Sequence, residues 1–239
     1  MTSLSVSGSN QSNTVGFTFK ITNPQNGVES TLIGTAHMAN AEAMRKLNVQ
    51  QIIEKSSALY SEAGTSVFVT SAEGSRPEGD HEYTKITHRF CPDIAITLEA
   101  WAKKLPIHSL DRGIPAVDQM RDFSRAKSHE IGPDEFEKLT MQGHEEVTKS
   151  PEGVQMLDAW EQGNAEIWAE QRNAVAYGII APREDQWMKI LTPKLKEAST
   201  PICIAVGVAH VVGYNSLPDR LRKEGFKVER VYSTPRSSL

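Results

Sequence analysis

Two stretches decide how this chain is read. They are Ser30-Thr31-Leu32-Ile33-Gly34-Thr35-Ala36-His37 near the amino end and Ile202-Cys203-Ile204-Ala205-Val206-Gly207-Val208-Ala209-His210 near the carboxyl end. Each begins with a short run rich in Ile, Val and Thr, the pattern of a buried strand. Each run then reaches Gly-x-Ala-His, and the glycine allows the backbone to turn sharply off the strand. A histidine three residues later sits beyond the strand's carboxyl end, where open α/β sheets bind ligands. One Gly-x-x-His alone is weak and as readily marks a strand exit with a solvated histidine. Two copies that share the alanine point to one site built from both ends of the chain.

Working outward, Phe17, Phe19 and Ile21 alternate with polar residues and predict a half-buried strand. Asn23-Pro24-Gln25-Asn26-Gly27 predicts a hairpin turn into the Ser30–Ile33 strand. A helix is expected over 41–56, a short strand over 58–64 that carries Glu62, and an amphipathic helix over 93–105. A further strand over 106–111 ends in Asp111, and most of 64–93 is expected to be an irregular excursion. Pro133, Ser150-Pro151-Glu152 and Pro182 read as three helix starts, the second helix running to about Tyr177 with Trp160 and Trp168 on its core side. The 201–206 strand, a helix near 215–223 and a strand over 226–232 close the chain. The fold class expected is therefore α/β: a mainly parallel central sheet flanked by helices, with an inserted helical subdomain at about 115–198. Residues 16–239 are expected to form a single domain.

Composition narrows the function classes. At 239 residues, 38% hydrophobic and 23% charged, the chain fits an ordinary globular domain. A net charge of −4 argues against nucleic acid or an anionic membrane as partner. No apolar run approaches the ~18 residues of a bilayer span. The two cysteines, Cys91 and Cys203, cannot form a disulfide framework or a paired-cysteine zinc site, and Cys203 is expected as a reduced core thiol. Residues 1–15 are expected to be a disordered, Ser/Asn-rich leader, since no charged side chain occurs before Lys20. That composition resembles the leaders of bacterial type III secreted effectors, which implies secretion into the host cytoplasm; otherwise the composition fits a cytoplasmic location.

Four residues able to bind metal or move protons fall just beyond predicted strands: His37, Glu62, Asp111 and His210. If those strands are parallel neighbours, all four reach one edge of the sheet. His37, Glu62 and His210 would suit a divalent metal (Mn, Co, Fe or Zn), with Asp111 a second carboxylate or a partner orienting a histidine. Without metal, a His/Glu pair can serve as general base toward water. His81, His88, His129 and His144 are expected to be solvated, and His108 to be a satisfied core histidine. GxxxxGK[ST], GxGxxG, GxSxG and HExxH are absent, which removes the commonest nucleotide, serine-hydrolase and zincin readings.

With these residues placed, the chain resembles the TraB/PrgY/GumN/TIKI group, which shares the EreA/ChaN-like fold. The resemblance rests on Gly34…His37, Glu62 and Gly207…His210. It also rests on the closing pattern from Ala205 to Arg230 of strand, histidine loop, helix and last strand. Arg183, ahead of Trp187, is similar to an arginine before an aromatic in the family's penultimate helix, although Glu184 stands where that motif has asparagine. Asp111 stands where members often have glutamate. The resemblance implies a hydrolase, esterase-like or protease-like, with catalytic residues His37, Glu62, Asp111, Arg183 and His210 and a small-molecule or peptide substrate. It also implies the alternative of a non-catalytic protein of the same fold that acts through a host protein or binds haem. The chain is also similar to type III effectors of the HopBA type.

Overall fold

The structure, a computed structural model, describes residues 16–36, 47, 49–62, 92–173 and 177–231. The expected leader, His37, His81, His88 and Cys91 lie outside the described residues. Six strands form one sheet: β1 (Phe17–Thr22), β2 (Glu29–Thr35), β3 (Leu59–Ser61), β4 (Ile107–Ser109), β5 (Cys203–Gly207) and β6 (Lys227–Val231). Their spatial order is β4-β3-β5-β2-β1-β6. β4, β3, β5 and β2 are parallel neighbours, whereas β1 runs antiparallel to both β2 and β6. The alternating β1 pattern buries Phe17, Phe19 and Ile21, and β5, apolar throughout, is buried at every position, as a central parallel strand must be. The fold is the α/β class expected.

The described helices are α1 (Val49–Glu54), α2 (Pro92–Ala102), α3 (Pro115–Ile131), α4 (Pro133–Lys149), α5 (Pro151–Glu161), α6 (Ala165–Gln171), α7 (Tyr177–Glu197) and α8 (Leu217–Lys223). Helices α3 to α7 all lie between β4 and β5 in the chain. The single helix expected from Pro151 to Tyr177 is two. Gly163 adopts φ +69°, which ends α5, and the Asn164 side chain then accepts the Glu166 amide to start α6. Pro182 does not open its helix either, since α7 starts at Tyr177 and passes through both Pro182 and Pro193. Each proline removes one i→i−4 bond and crowds the carbonyl four residues back, a cost that the buried stripe from Ile180 to Leu195 offsets. His108, expected in the core, is exposed on edge strand β4 and stacks on Tyr60 with ring centroids 4.7 Å apart.

The twin motifs start side by side: β2 and β5 pair with Gly34 opposite Val206 and Thr35 opposite Gly207. Their glycines are not there for a sharp turn. Gly207 has φ −56°, open to any residue. Gly34 lies in the strand, and a Cβ added there would stand 2.3 Å from Val211 Cγ2 and 3.0 Å from Phe17 Cβ. Its carbonyl also accepts the indole N–H of fully buried Trp160 at 2.9 Å. Close packing is the reason for this glycine. Cys203, wholly buried in β5, has its thiol pushed up to about 12 by burial and is an inert core group.

Gly34→Ala therefore overpacks the sheet and should lower stability by about 1–3 kcal/mol. Gly143→Ala, in α4 with nothing within 4 Å of the new Cβ, should raise it by up to about 1 kcal/mol. Urea midpoints of the two variants check both signs, and an unchanged Gly34→Ala midpoint would remove the packing explanation.

Candidate functional site

Strand polarity assembles the site. Because β4, β3 and β5 are parallel neighbours, their carboxyl ends bring Asp111, Glu62 and His210 to one edge of the sheet. The ladder runs on past the strands: the Glu62 amide bonds Ala205 O at 3.2 Å, and the Asp111 amide bonds Glu62 O at 3.2 Å. These backbone bonds fix where each carboxylate begins. His210 closes a short 3-10 turn (Val208–His210) that follows β5 directly and is buried. Thr35 ends β2 beside Gly207, so the first motif leads to the same edge, with His37 outside the described residues.

Helix α7 supplies the other half. Its buried stripe is Ile180, Glu184, Trp187, Leu191 and Leu195, a helical i, i+4, i+7 spacing with one carboxylate inside it. Arg183, beside that stripe, reaches the sheet edge. Its Nη2 donates to Glu62 Oε1 and to Asp111 Oδ2, the latter at 2.6 Å, and its Nε donates to Asp111 Oδ1 at 3.1 Å. Trp187 donates its indole N–H to Asp111 Oδ1 at 3.0 Å and sets its ring 4.3 Å from the His210 ring. Glu62 Oε2 accepts the Gly207 amide at 2.8 Å, and Glu62 Oε1 stands 3.8 Å from His210 Nε2. Of the predicted residues, Glu62, Asp111, Arg183 and His210 are thus brought together.

Two members were not predicted. Glu184 is fully buried, and its Oε1 accepts Arg172 Nη1 at 2.7 Å and lies 3.1 Å from His210 Nδ1. Its Oε2 accepts Arg172 Nη2 at 3.0 Å and lies 3.1 Å from Arg220 Nε. Arg172, also fully buried, extends to the carbonyls of Ala209 and Asn215 at 2.6 and 3.3 Å. The signal that could have found Glu184 is its place in the apolar stripe of α7, since a charge there must have buried partners. Arg172, just past α6, follows buried Trp168 by four residues, a fainter form of the same signal.

The electrostatics are dominated by burial. Burial pushes the Asp111 carboxyl up from its ordinary 3.8, the charge of Glu62 adds to the rise, and Arg183 and the Trp187 N–H only partly oppose it. Burial pulls the Arg183 guanidinium down, but Glu62 and Asp111 outweigh this and leave it raised. As a metal site the described donors fall short: Glu62 and His210 give two, and Arg183 places a competing cation on Glu62 Oε1. Among the described residues no group of three His, Cys, Asp or Glu is arranged to hold an ion. A tetrahedral or octahedral metal needs more.

The raised Asp111 carboxyl has a sign that can be read. Folded protein holds this proton at higher pH than unfolded protein, so the contribution of Asp111 is complete below about pH 3.8 and is lost as pH rises through its folded value. Asp111→Asn imitates the neutral acid. Its urea-unfolding stability relative to the parent should improve as pH rises from about 4 toward neutrality. A relative stability that worsens over that window would mean Arg183, not burial, governs Asp111.

The model of the TraB/PrgY/gumN family matches residues 84–230. No curated protein and no solved structure matches the chain significantly. The matched segment runs from before α2 to the end of β6 and takes in Asp111, Arg183, Glu184 and His210, while Glu62 and the first Gly-x-x-His precede it. With more than half of its length covered by that match, and with the second histidine motif at the centre of the polar cluster, the chain belongs to the TraB/PrgY/gumN family.

Proposed function

We propose that the protein is a hydrolase in which His210 and Glu62 activate water for attack on an ester or amide carbonyl. The observation that carries this reading is the position of His210. Its Nε2 faces Glu62 Oε1 at 3.8 Å, too long for a direct hydrogen bond, while its Nδ1 is tied to Glu184 at 3.1 Å. An imidazole so placed takes a proton at Nε2 as the water oxygen bonds to the carbonyl carbon. The carbon–oxygen or carbon–nitrogen bond then breaks, and the imidazolium returns the proton to the leaving group. Glu62 faces that imidazolium as its counter-charge. Of the His/Glu pair that the sequence offers as general base, the geometry favours His210, because both Glu62 oxygens are engaged by Arg183 and the Gly207 amide. Arg183 fixes Glu62 and Asp111 together, and Trp187 fixes Asp111 and the ring of His210.

A second reading, a non-catalytic protein acting through a host partner, is favoured by the closed state of the cluster: His210 is only 3% exposed. The uncharged, Ser/Asn-rich start of the chain supports action as a secreted effector under either reading.

Assay of p-nitrophenyl esters and fluorogenic peptides separates the two. His210→Gln and Glu62→Gln should each lower kcat/KM about 10²–10⁴-fold, and the double variant little further, since residues acting as one unit are not additive. A chelator should leave the rate unchanged; loss reversed by Mn, Co, Fe or Zn would instead bring in a metal held with His37. If the folded double variant keeps its full effect in host cells, the hydrolase reading fails and the partner-binding one stands.

A further inference from the structure

We infer that Glu184 is a positioning residue that holds His210 as the Nδ1–H tautomer, with Nε2 left as the proton-accepting nitrogen. Arg172 donates to both of its oxygens, Nη1 to Oε1 and Nη2 to Oε2; His210 Nδ1 lies 3.1 Å from Oε1, and Arg220, whose Nε–H goes to the Asn215 carbonyl, stands 3.1 Å from Oε2 as an ion pair. A carboxylate offers only acceptors. The ring nitrogen 3.1 Å from Oε1 must therefore carry the hydrogen, because a lone pair there would face a lone pair. The neutral ring has one hydrogen, so Nε2 is bare and points toward Glu62. The carboxylate itself cannot swing away. Arg172 grips it at both oxygens, is fully buried, and is anchored in turn on the Ala209 and Asn215 carbonyls. Arg220 bonds the Asn215 carbonyl at 3.0 Å and pairs with Asp185 on its outer side. Trp187 packs on the ring with centroids 4.3 Å apart and their planes tilted by 46°. Among the described residues, the groups facing the imidazole are thus Glu62, just past β3, and Glu184, Trp187 and the Arg172 and Arg220 side chains that close on Glu184.

The carboxylate at 184 is what decides between the two tautomers. An amide could accept from Nδ1–H or donate to a bare Nδ1, and so would not choose the tautomer. A carboxylate chooses. The catalytic consequence rests on the hydrolase reading above, whereas the tautomer itself does not.

The test is ¹⁵N correlation spectroscopy of the full-length protein labelled at histidine. It is recorded over a pH series, the tautomer being read where the His210 ring carries a single proton, with the His210 signals assigned by their loss in His210→Gln. The expected result is a protonated, pyrrole-type Nδ1 and a bare, pyridine-type Nε2. Glu184→Gln should raise the population of the opposite tautomer, and Glu184→Asp should restore the original preference in part. A bare Nδ1 in the unaltered protein overturns the inference, whether or not either variant folds. If instead the tautomer is as stated and no ester or peptide is cleaved, the hydrolase reading falls and this assignment stands.

Discussion

The buried ion pair between Arg172 and Glu184 is the constraint on which the rest of the site depends. Both side chains are fully buried and meet through two hydrogen bonds of 2.7 and 3.0 Å. Two charges withdrawn from water are costly, and only close geometry with further hydrogen bonds offsets that cost. The pair approaches the condition by recruiting neighbours: His210 Nδ1 and the Arg220 charge stand 3.1 Å from the two oxygens of Glu184, and two backbone carbonyls accept from Arg172, whose Nε alone is left without a partner among the described residues. Each recruit belongs to a different element. Arg172 follows α6, Glu184 lies in α7, His210 follows β5 and Arg220 lies in α8. The pair therefore pins the end of α6 and α7 to the sheet's carboxyl edge, and the histidine inherits its orientation from that pinning.

A second ionic knot, Arg183 with Glu62 and Asp111, lies beside the first and has a different character. Its members are less deeply buried, with side-chain exposures of 15, 14 and 4%. One is a chain neighbour of Glu184, so a single helical turn of α7 feeds both knots. The inner one is sealed from solvent, and the outer one reaches the surface. Trp187, one turn further on, touches both through Asp111 and His210.

How much of this was legible in the sequence follows from the range of the signals. Strand runs and the hairpin turn are local, and the parallel pairing of β2, β5, β3 and β4 follows from the alternation of strands and helices. That was enough to place Glu62, Asp111 and His210 on one edge. Arg183 came from resemblance, not from local pattern. Glu184 and Arg172 were passed over because a charge in an amphipathic helix is ordinarily a solvated face, and only a count of the full stripe from Ile180 to Leu195 shows that position 184 points inward. Helix limits at Gly163 and Pro182 were misjudged for a related reason. A left-handed glycine can end a helix, and tertiary packing can carry one through a proline. The twin glycines were right in position and wrong in reason, since Gly34 answers to Val211 and Phe17, residues far away in the chain or across the strand.

The central claim, that Arg172 and Glu184 act as one buried unit, is tested most directly by a double-mutant cycle on folding stability with Arg172→Met and Glu184→Gln. Each single change leaves a buried partner uncompensated and should cost about 3–5 kcal/mol. The double variant should lose much less than the two losses together, with a coupling of at least about 1 kcal/mol. Losses that add to within about 0.5 kcal/mol would show two independent side chains and contradict the account.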